Sequence, residues 1–516
     1  MRARSPRGAR YGVPARASAR APHRLFARVC ITLLMAACAA MAQMRITQLP
    51  GKSPLITFRI VFTTGSAADP ADKPGLAYLT AHMLAEGGTK SLTYRQIVDA
   101  MFPMAASVNA EVDKEMCTFY GATHADNLDA YYKLLRAMLL EPGWREDDLR
   151  RVKDDAVNYL RVGLRGNNDE ELGKEVLYQN IYQGTPYGAY SVGTVSSIEK
   201  ITLDDIKSFY HAQYTQSNLI LGIAGGFTPA FLDGMKKDFH ALPAGQASRP
   251  RQVAPASIAA NRAVIVDKDT RSVAFSIGFP ISATRASSDY PALLVAASYL
   301  GQHRMSGGVL YDRIREQRGL NYGDYAYIEY FPRGMFRFEP SPNLVRRSQI
   351  FQIWIRPVEP PNAKFALRLA LYELDKLVKE GIPAEDFERT RSFLVKYANV
   401  LTRTKSAELG YAIDSTFYSI PNYNQYLKTG LAKLTREQVN AAIRRHLDRP
   451  DGRVIVAVSS NGADLKRQLS TGDPSPMKYN SPKPAAILEE DKTVEKWPLG
   501  LRGDNIQVVP LDQVFQ

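Results

Sequence analysis

In the stretch GLAYLTAHMLAEGGT (75–89), His82 and Glu86 stand four residues apart. On a helix that spacing puts an imidazole and a carboxylate on one face, a turn apart. Both groups are metal ligands, but two ligands rarely hold zinc with useful affinity. A histidine simply hydrogen-bonded in place fits the same spacing. His124, His211, His240, His303 and His446 are scattered without ligand spacing, and no nucleophile triad is legible.

The frame around His82 says more than the histidine does. An inverted zinc-protease helix carries His-x-x-Glu-His, so that two imidazoles hold the metal and the glutamate between them activates the bound water. Here Tyr78 stands at the first histidine, Ala81 at the glutamate, and only His82 remains. With its flanks, Gly-Leu-Ala before and Met-Leu-Ala-Glu-Gly-Gly-Thr after, the frame resembles the insulinase/pitrilysin family of zinc metallopeptidases.

The resemblance covers nearly the whole chain after the leader. It implies that a glutamate supplies the third zinc ligand from a later helix; in LRRVKDDAVNYL (149–160) that position is Ala156. Asp154 and Asp155 are near in sequence but point to other helix faces. It also implies that Asn109 and Ala110, in SVNAEVDKEMCTFYG (107–121), lie against the substrate backbone. In GGVLYDRIREQRGLNYGDYAY (307–327), it implies that Arg315 and Tyr322 reach across a cleft to the substrate. A guanidinium can hold a substrate carbonyl or tail, and a phenol can donate to an oxyanion. Taken without the family frame, the same two residues read as an ordinary salt-bridged arginine and a core tyrosine.

Some members of this family work as pairs, one chain with the zinc motif and one without it that supplies the Arg/Tyr pair. The expectation is therefore a non-catalytic subunit of a heteromeric zinc metallopeptidase acting on peptides. Arg315 and Tyr322 act in trans, Asn109 and Ala110 bind substrate, and Tyr78, Ala81, His82 and Ala156 mark a degenerate zinc site. No metal is expected in this chain; zinc is expected in the homologous partner. Two alternatives stay open: a proteolytically inactive binding or assembly protein of the same fold, and an independent metallopeptidase using His82 with Glu86, Asp154 or Asp155.

The elements that must position these residues repeat. Residues 129–160 and 366–397 share an amphipathic helix, a glycine-containing turn and an acidic start to a second helix. Residues 200–226 and 433–460 share a threonine N-cap, a helix and an apolar strand, and 55–87 and 272–305 share a strand, a loop and a helix. The period is too long for a solenoid and implies a duplicated domain. The predicted fold is α+β: two homologous domains, each a mainly antiparallel sheet packed with helices, forming a clamshell. The predicted boundaries are a signal peptide over 1–42, an N-terminal peptidase-like domain over 43–243, a linker over 244–262, a C-terminal peptidase-like domain over 263–470, and an irregular tail over 471–516.

Composition narrows the function classes. The net charge is +14, but residues 1–28 hold eight arginines and no acid, so the remainder is only mildly basic and a nucleic-acid partner is not expected. The basic leader runs into VCITLLMAACAAMAQ, too short to span a membrane, with Ala40-Met41-Ala42 as an A-x-A cleavage site. The protein is expected to be exported and periplasmic, with no transmembrane segment in the mature chain. Cys38 leaves lipid anchoring at the N-terminus open. After cleavage only Cys117 remains, which excludes an internal disulfide.

Overall fold

A computed structural model describes residues 44–246, 253–255, 257–302, 307–332 and 340–516. The leader with its cleavage site and cysteines, part of the linker, and His303 lie outside the described residues.

In the first half, strands β1 (Arg45–Pro50), β2 (Leu55–Phe62), β3 (Asn109–Val112), β4 (Cys117–His124) and β5 (Leu219–Gly225) form one sheet in the order β1-β5-β2-β4-β3. Its helices include α1 (Leu76–Glu86), α2 (Tyr94–Met101), α3 (Leu128–Leu140), α4 (Glu146–Asn158), α5 (Asp169–Ile181) and α6 (Leu203–Gln213). The second half has β6 (Arg262–Asp267), β7 (Val273–Ile281), α7 (Tyr290–Gly301), β8 (Gly323–Tyr327), β9 (Gln349–Val358), α8 (Ala363–Glu380), α9 (Ala384–Leu401), α10 (Lys405–Tyr418), α11 (Arg436–Leu447) and β10 (Val454–Ser459). A last helix, α12 (Ala485–Val494), and a last strand, β11 (Ile506–Pro510), complete a sheet ordered β11-β6-β10-β7-β9-β8.

The two sheets match strand for strand apart from β11. In each, the first strand pairs parallel and the remaining ladder is antiparallel. The fold is α+β, as expected. Local chemistry explains the repeated helix starts: Thr202 and Thr435 each accept the amide three residues on, Asp205 at 3.2 Å and Gln438 at 3.3 Å, and so satisfy donors that a first turn leaves open.

The halves interlock through equivalent helices. α5 of the first half packs on β7 and β10 of the second, and α10 of the second packs on β1, β2 and β5 of the first. The approach is close: a Cβ on Gly222 of β5 would lie 2.8 Å from Ile413 of α10 and 2.6 Å from the Arg59 carbonyl. Buried ion pairs cross the same seam. Arg346 makes a forked contact with Asp113, Nε reaching Oδ2 at 3.0 Å and Nη2 reaching Oδ1 at 2.5 Å, with its guanidinium 3.5 Å from the Tyr330 ring. Arg59 donates to Asn343 Oδ1 at 2.7 Å and to the Ser406 carbonyl at 3.0 Å.

The segment beyond 470 departs from the irregular tail expected of it. Its proline-rich start has no regular structure, but α12 and β11 follow, and β11 adds to the sheet parallel to β6. The chain end then returns to the first half: the Val195 and Ser196 amides donate to the Phe515 and Gln516 carbonyls at 3.1 and 3.2 Å. Phe515 is buried 5.1 Å from the Tyr190 ring. A short strand fed by an exposed sheet edge needs little pattern of its own, and five residues with one buried position give none.

Candidate functional site

α1 begins at Gly75, held at φ 95, and its first amides are satisfied by Asp69: Gly75 N–H and Ala77 N–H donate to the two carboxylate oxygens at 2.8 Å each. Burial pushes the Asp69 carboxyl up to about 7 against those amide bonds. The helix is apolar on most sides and packs on β3, α4 and α6.

Within it, Tyr78 lies against His82, ring centroids 4.0 Å apart. His82 Nδ1 is 2.7 Å from Glu86 Oε1. Burial tends to raise the Glu86 carboxyl, but the hydrogen bond from His82 and the charges of His82 and Arg151 outweigh it and hold it below its ordinary value. Ala81 is 0% exposed and Ala156 on α4 is 1% exposed, both inside the first half's apolar core. Asp154 and Asp155 face solvent, and Asp155 lies 3.7 Å from Arg151.

The donor set does not fit a zinc ion. One imidazole nitrogen already faces Glu86, a phenol ring tilted against the imidazole stands at the first ligand position, and methyl groups occupy the places of base and third ligand. No three His, Cys, Asp or Glu side chains converge on a common point among the described residues.

Asn109 and Ala110 open β3, the edge strand of the first sheet. Asn109 is exposed, and its Nδ2 donates to Ser107 Oγ at 3.1 Å. Among the described residues β3 pairs with β4 alone, so its outer backbone edge is available to an extended chain.

Arg315 and Tyr322 do come together. Arg315 lies in the last turn of a π-helical segment, Tyr311–Glu316, and Tyr322 stands just before the edge strand β8. Gly319, at φ 69, reverses the chain between them, its amide donating to the Arg315 carbonyl at 2.7 Å. The Arg315 guanidinium lies 4.4 Å from the Tyr322 ring centroid and 4.7 Å from that of Tyr311. The Tyr322 side chain is 70% exposed. Two aromatic faces therefore hold the cation in place; Glu316 lies 3.6 Å from its Nε, and its terminal N–H groups and the phenol O–H remain able to bind a ligand.

Tyr311 was missed as a partner, although its place four residues before Arg315 on one helical face was a usable signal. The tail's role was also hidden. Arg318, with a fully buried side chain, donates to Asp491 at 2.9 Å and Glu490 at 2.7 Å, and Arg313 pairs with Glu373 at 2.8 Å and with Glu490. α12 thus clamps the turn that carries Arg315.

Comparison with known proteins bears on the family and the fold. Residues 51–195 match the family model described as insulinase (peptidase family M16), and residues 200–394 match the model described as peptidase M16 inactive domain. A Helicobacter pylori protein named non-peptidase homolog YmxG is 22% identical over 416 residues, covering 79% of this chain and 89% of its own. The probable mitochondrial-processing peptidase subunit beta of Arabidopsis thaliana is 24% identical over 255 residues, 49% of this chain and 47% of its own. Among solved structures, a peptidase M16 inactive domain from Pseudomonas fluorescens superposes with TM-score 0.71 at 22% identity, covering 81% of this chain and 96% of that one. The first half of the periplasmic protease PqqL from Escherichia coli gives 0.62 at 15% identity, covering 88% and 96%. These structural likenesses show the fold, and the family matches show the lineage: the chain belongs to the insulinase family of peptidases, M16.

Proposed function

We propose that this chain is the non-catalytic subunit of a heteromeric zinc metallopeptidase acting on peptides. A homologous partner supplies the metal and the general base, and this chain supplies Arg315 and Tyr322. The observation that carries the reading is the unevenness of the molecule: ligand and base positions are filled by Tyr78, Ala81 and Ala156, while the Arg/Tyr pair is assembled and open to solvent. Inactivity of the chain on its own follows from that replacement, and the name of the Helicobacter relative supports it.

In this reading the peptide adds along an edge strand, with Asn109 and Ala110 meeting its backbone. Arg315 holds a carbonyl or the carboxylate tail, and the Tyr322 hydroxyl donates to the oxyanion that develops at the scissile carbonyl. Export to the periplasm is part of the proposal; it rests on the leader's pattern, and a periplasmic protease among the structural neighbours supports it.

The test is reconstitution with a homologue bearing His-x-x-Glu-His. Tyr322→Phe should lower the pair's peptidase rate by about 10²-fold, the typical loss of one oxyanion donor, with assembly unchanged. Equal cleavage by the variant pair would reject donation in trans. Failure to find any zinc-bearing partner would favour the binding or assembly reading.

A further inference from the structure

Two residues after Tyr322, Asp324 enters β8 with a side chain that is 1% exposed. Its Oδ1 accepts from Asn321 Nδ2. The other oxygen of each group, Asp324 Oδ2 and Asn321 Oδ1, is buried with no hydrogen-bond partner among the described residues. Two stranded acceptors on groups already joined to each other are costly in a dry site. One proton on Asp324 resolves both, because Oδ2–H can donate to Asn321 Oδ1 while Asn321 Nδ2–H donates to Asp324 Oδ1, closing a cyclic acid–amide pair.

Burial favours the neutral acid. The packed elements carry few charges: Asp312, Arg313, Arg315 and Glu316 on the π-helical turn, Arg356 on β9, and on α7 only the tyrosines Tyr290 and Tyr299. Burial pushes the Asp324 carboxyl well above its usual range, and the Asn321 hydrogen bond and the Arg315 charge oppose this without reversing it.

We propose that Asp324 is a positioning residue for the Arg315–Tyr322 pair: held as a neutral acid against Asn321, it fixes the turn carrying Tyr322 without adding a second carboxylate charge beside Arg315, whose Nε already has Glu316 at 3.6 Å. The positioning role rests on the function proposed above. The acid–amide pair does not, and can be tested on the purified chain alone.

Infrared spectra of the wild type near neutral pH should contain the carbonyl stretch of a protonated, hydrogen-bonded carboxylic acid that Asp324→Asn removes. An aspartate in the unfolded chain titrates near about 3.9. An acid with a raised folded value binds its proton more tightly when folded, so its contribution is lost as pH rises. The thermal midpoint of the wild type should therefore fall behind that of Asp324→Asn from about pH 4 upward, the gap widening as pH rises toward the folded value. Absence of the acid band, with a midpoint difference that does not change with pH, would overturn the pair whatever the function. If Asp324→Asn does not fold, Asn321→Ala serves: the acid band should move when its partner is removed, and an unmoved band overturns the proposal. With the pair established, the reconstituted enzyme carrying Asp324→Asn, which keeps a neutral side chain, should retain its rate at high pH better than the wild type. Identical pH profiles would overturn the positioning role while leaving Tyr322→Phe as the separate test of the function.

Discussion

The α1–β3 region of the first half and the α7–β8 region of the second are copies of one plan, a helix packed behind the edge strand of its sheet, and they have moved in opposite directions. In the first, the positions that could carry ligands and a base hold an aromatic ring or a methyl group: Tyr78 lies against His82, and Ala81 and Ala156 sit in the core. In the second, the corresponding approach to the edge strand holds an arginine between two rings and leaves a phenol in solvent. The difference teaches that losing a metal site need not leave a hole. Small apolar residues let α1 and α4 close on each other, and packing replaces coordination as the reason the helix stays where it is.

That contrast can be broken from either side. The largest effect is expected from putting carboxylates back. Ala81→Glu or Ala156→Glu places an unpaired charge in a closed core and should cost on the order of 3–5 kcal/mol, read as a lowered denaturant midpoint. A loss under about 1 kcal/mol would mean that the metal cleft is still open. On the other side, Arg318→Ala removes the buried cation that Asp491 and Glu490 of α12 share, leaving Asp491 only the Tyr479 hydroxyl among the described residues, and should cost about 2–3 kcal/mol while loosening the Arg315 turn. The activity of a reconstituted pair should fall with it, whereas unchanged activity would separate the tail from the site. The smallest effect is expected at His82→Ala, which removes a half-exposed pair with Glu86 worth under about 1 kcal/mol. Because the Glu86 carboxyl is held below its ordinary value, the contribution of that pair is present above the unfolded value of about 4.3 and is lost as pH falls through the folded one.

Much of this contrast was legible in the residues. The duplicated helix and strand patterns led to two matching sheets, and the frame around His82 located the altered positions, because both depend on local spacing. The interlocking of the halves was not legible. Glu170, Glu171, Lys174 and Glu175 are charged, a type that is rarely buried, yet all four are buried between the halves, where Lys174 pairs with Glu171 at 2.8 Å and Tyr330 donates to Glu175 at 2.6 Å. Nothing near residue 113 announces that its partner is Arg346. Asn321 and Asp324 lie in a stretch dominated by the Arg/Tyr pattern, and only the structure shows that one carboxyl oxygen has no partner among the described residues.

The central claim is that the chemistry of this chain begins only with a partner. Zinc content and peptidase activity of the purified chain, measured alone and after mixing with a zinc-bearing homologue, test it most directly. The prediction is no stoichiometric zinc and no cleavage alone, with cleavage appearing in the mixture and lost with Tyr322→Phe. Stoichiometric zinc and activity in the single chain, both abolished by His82→Ala, would contradict it.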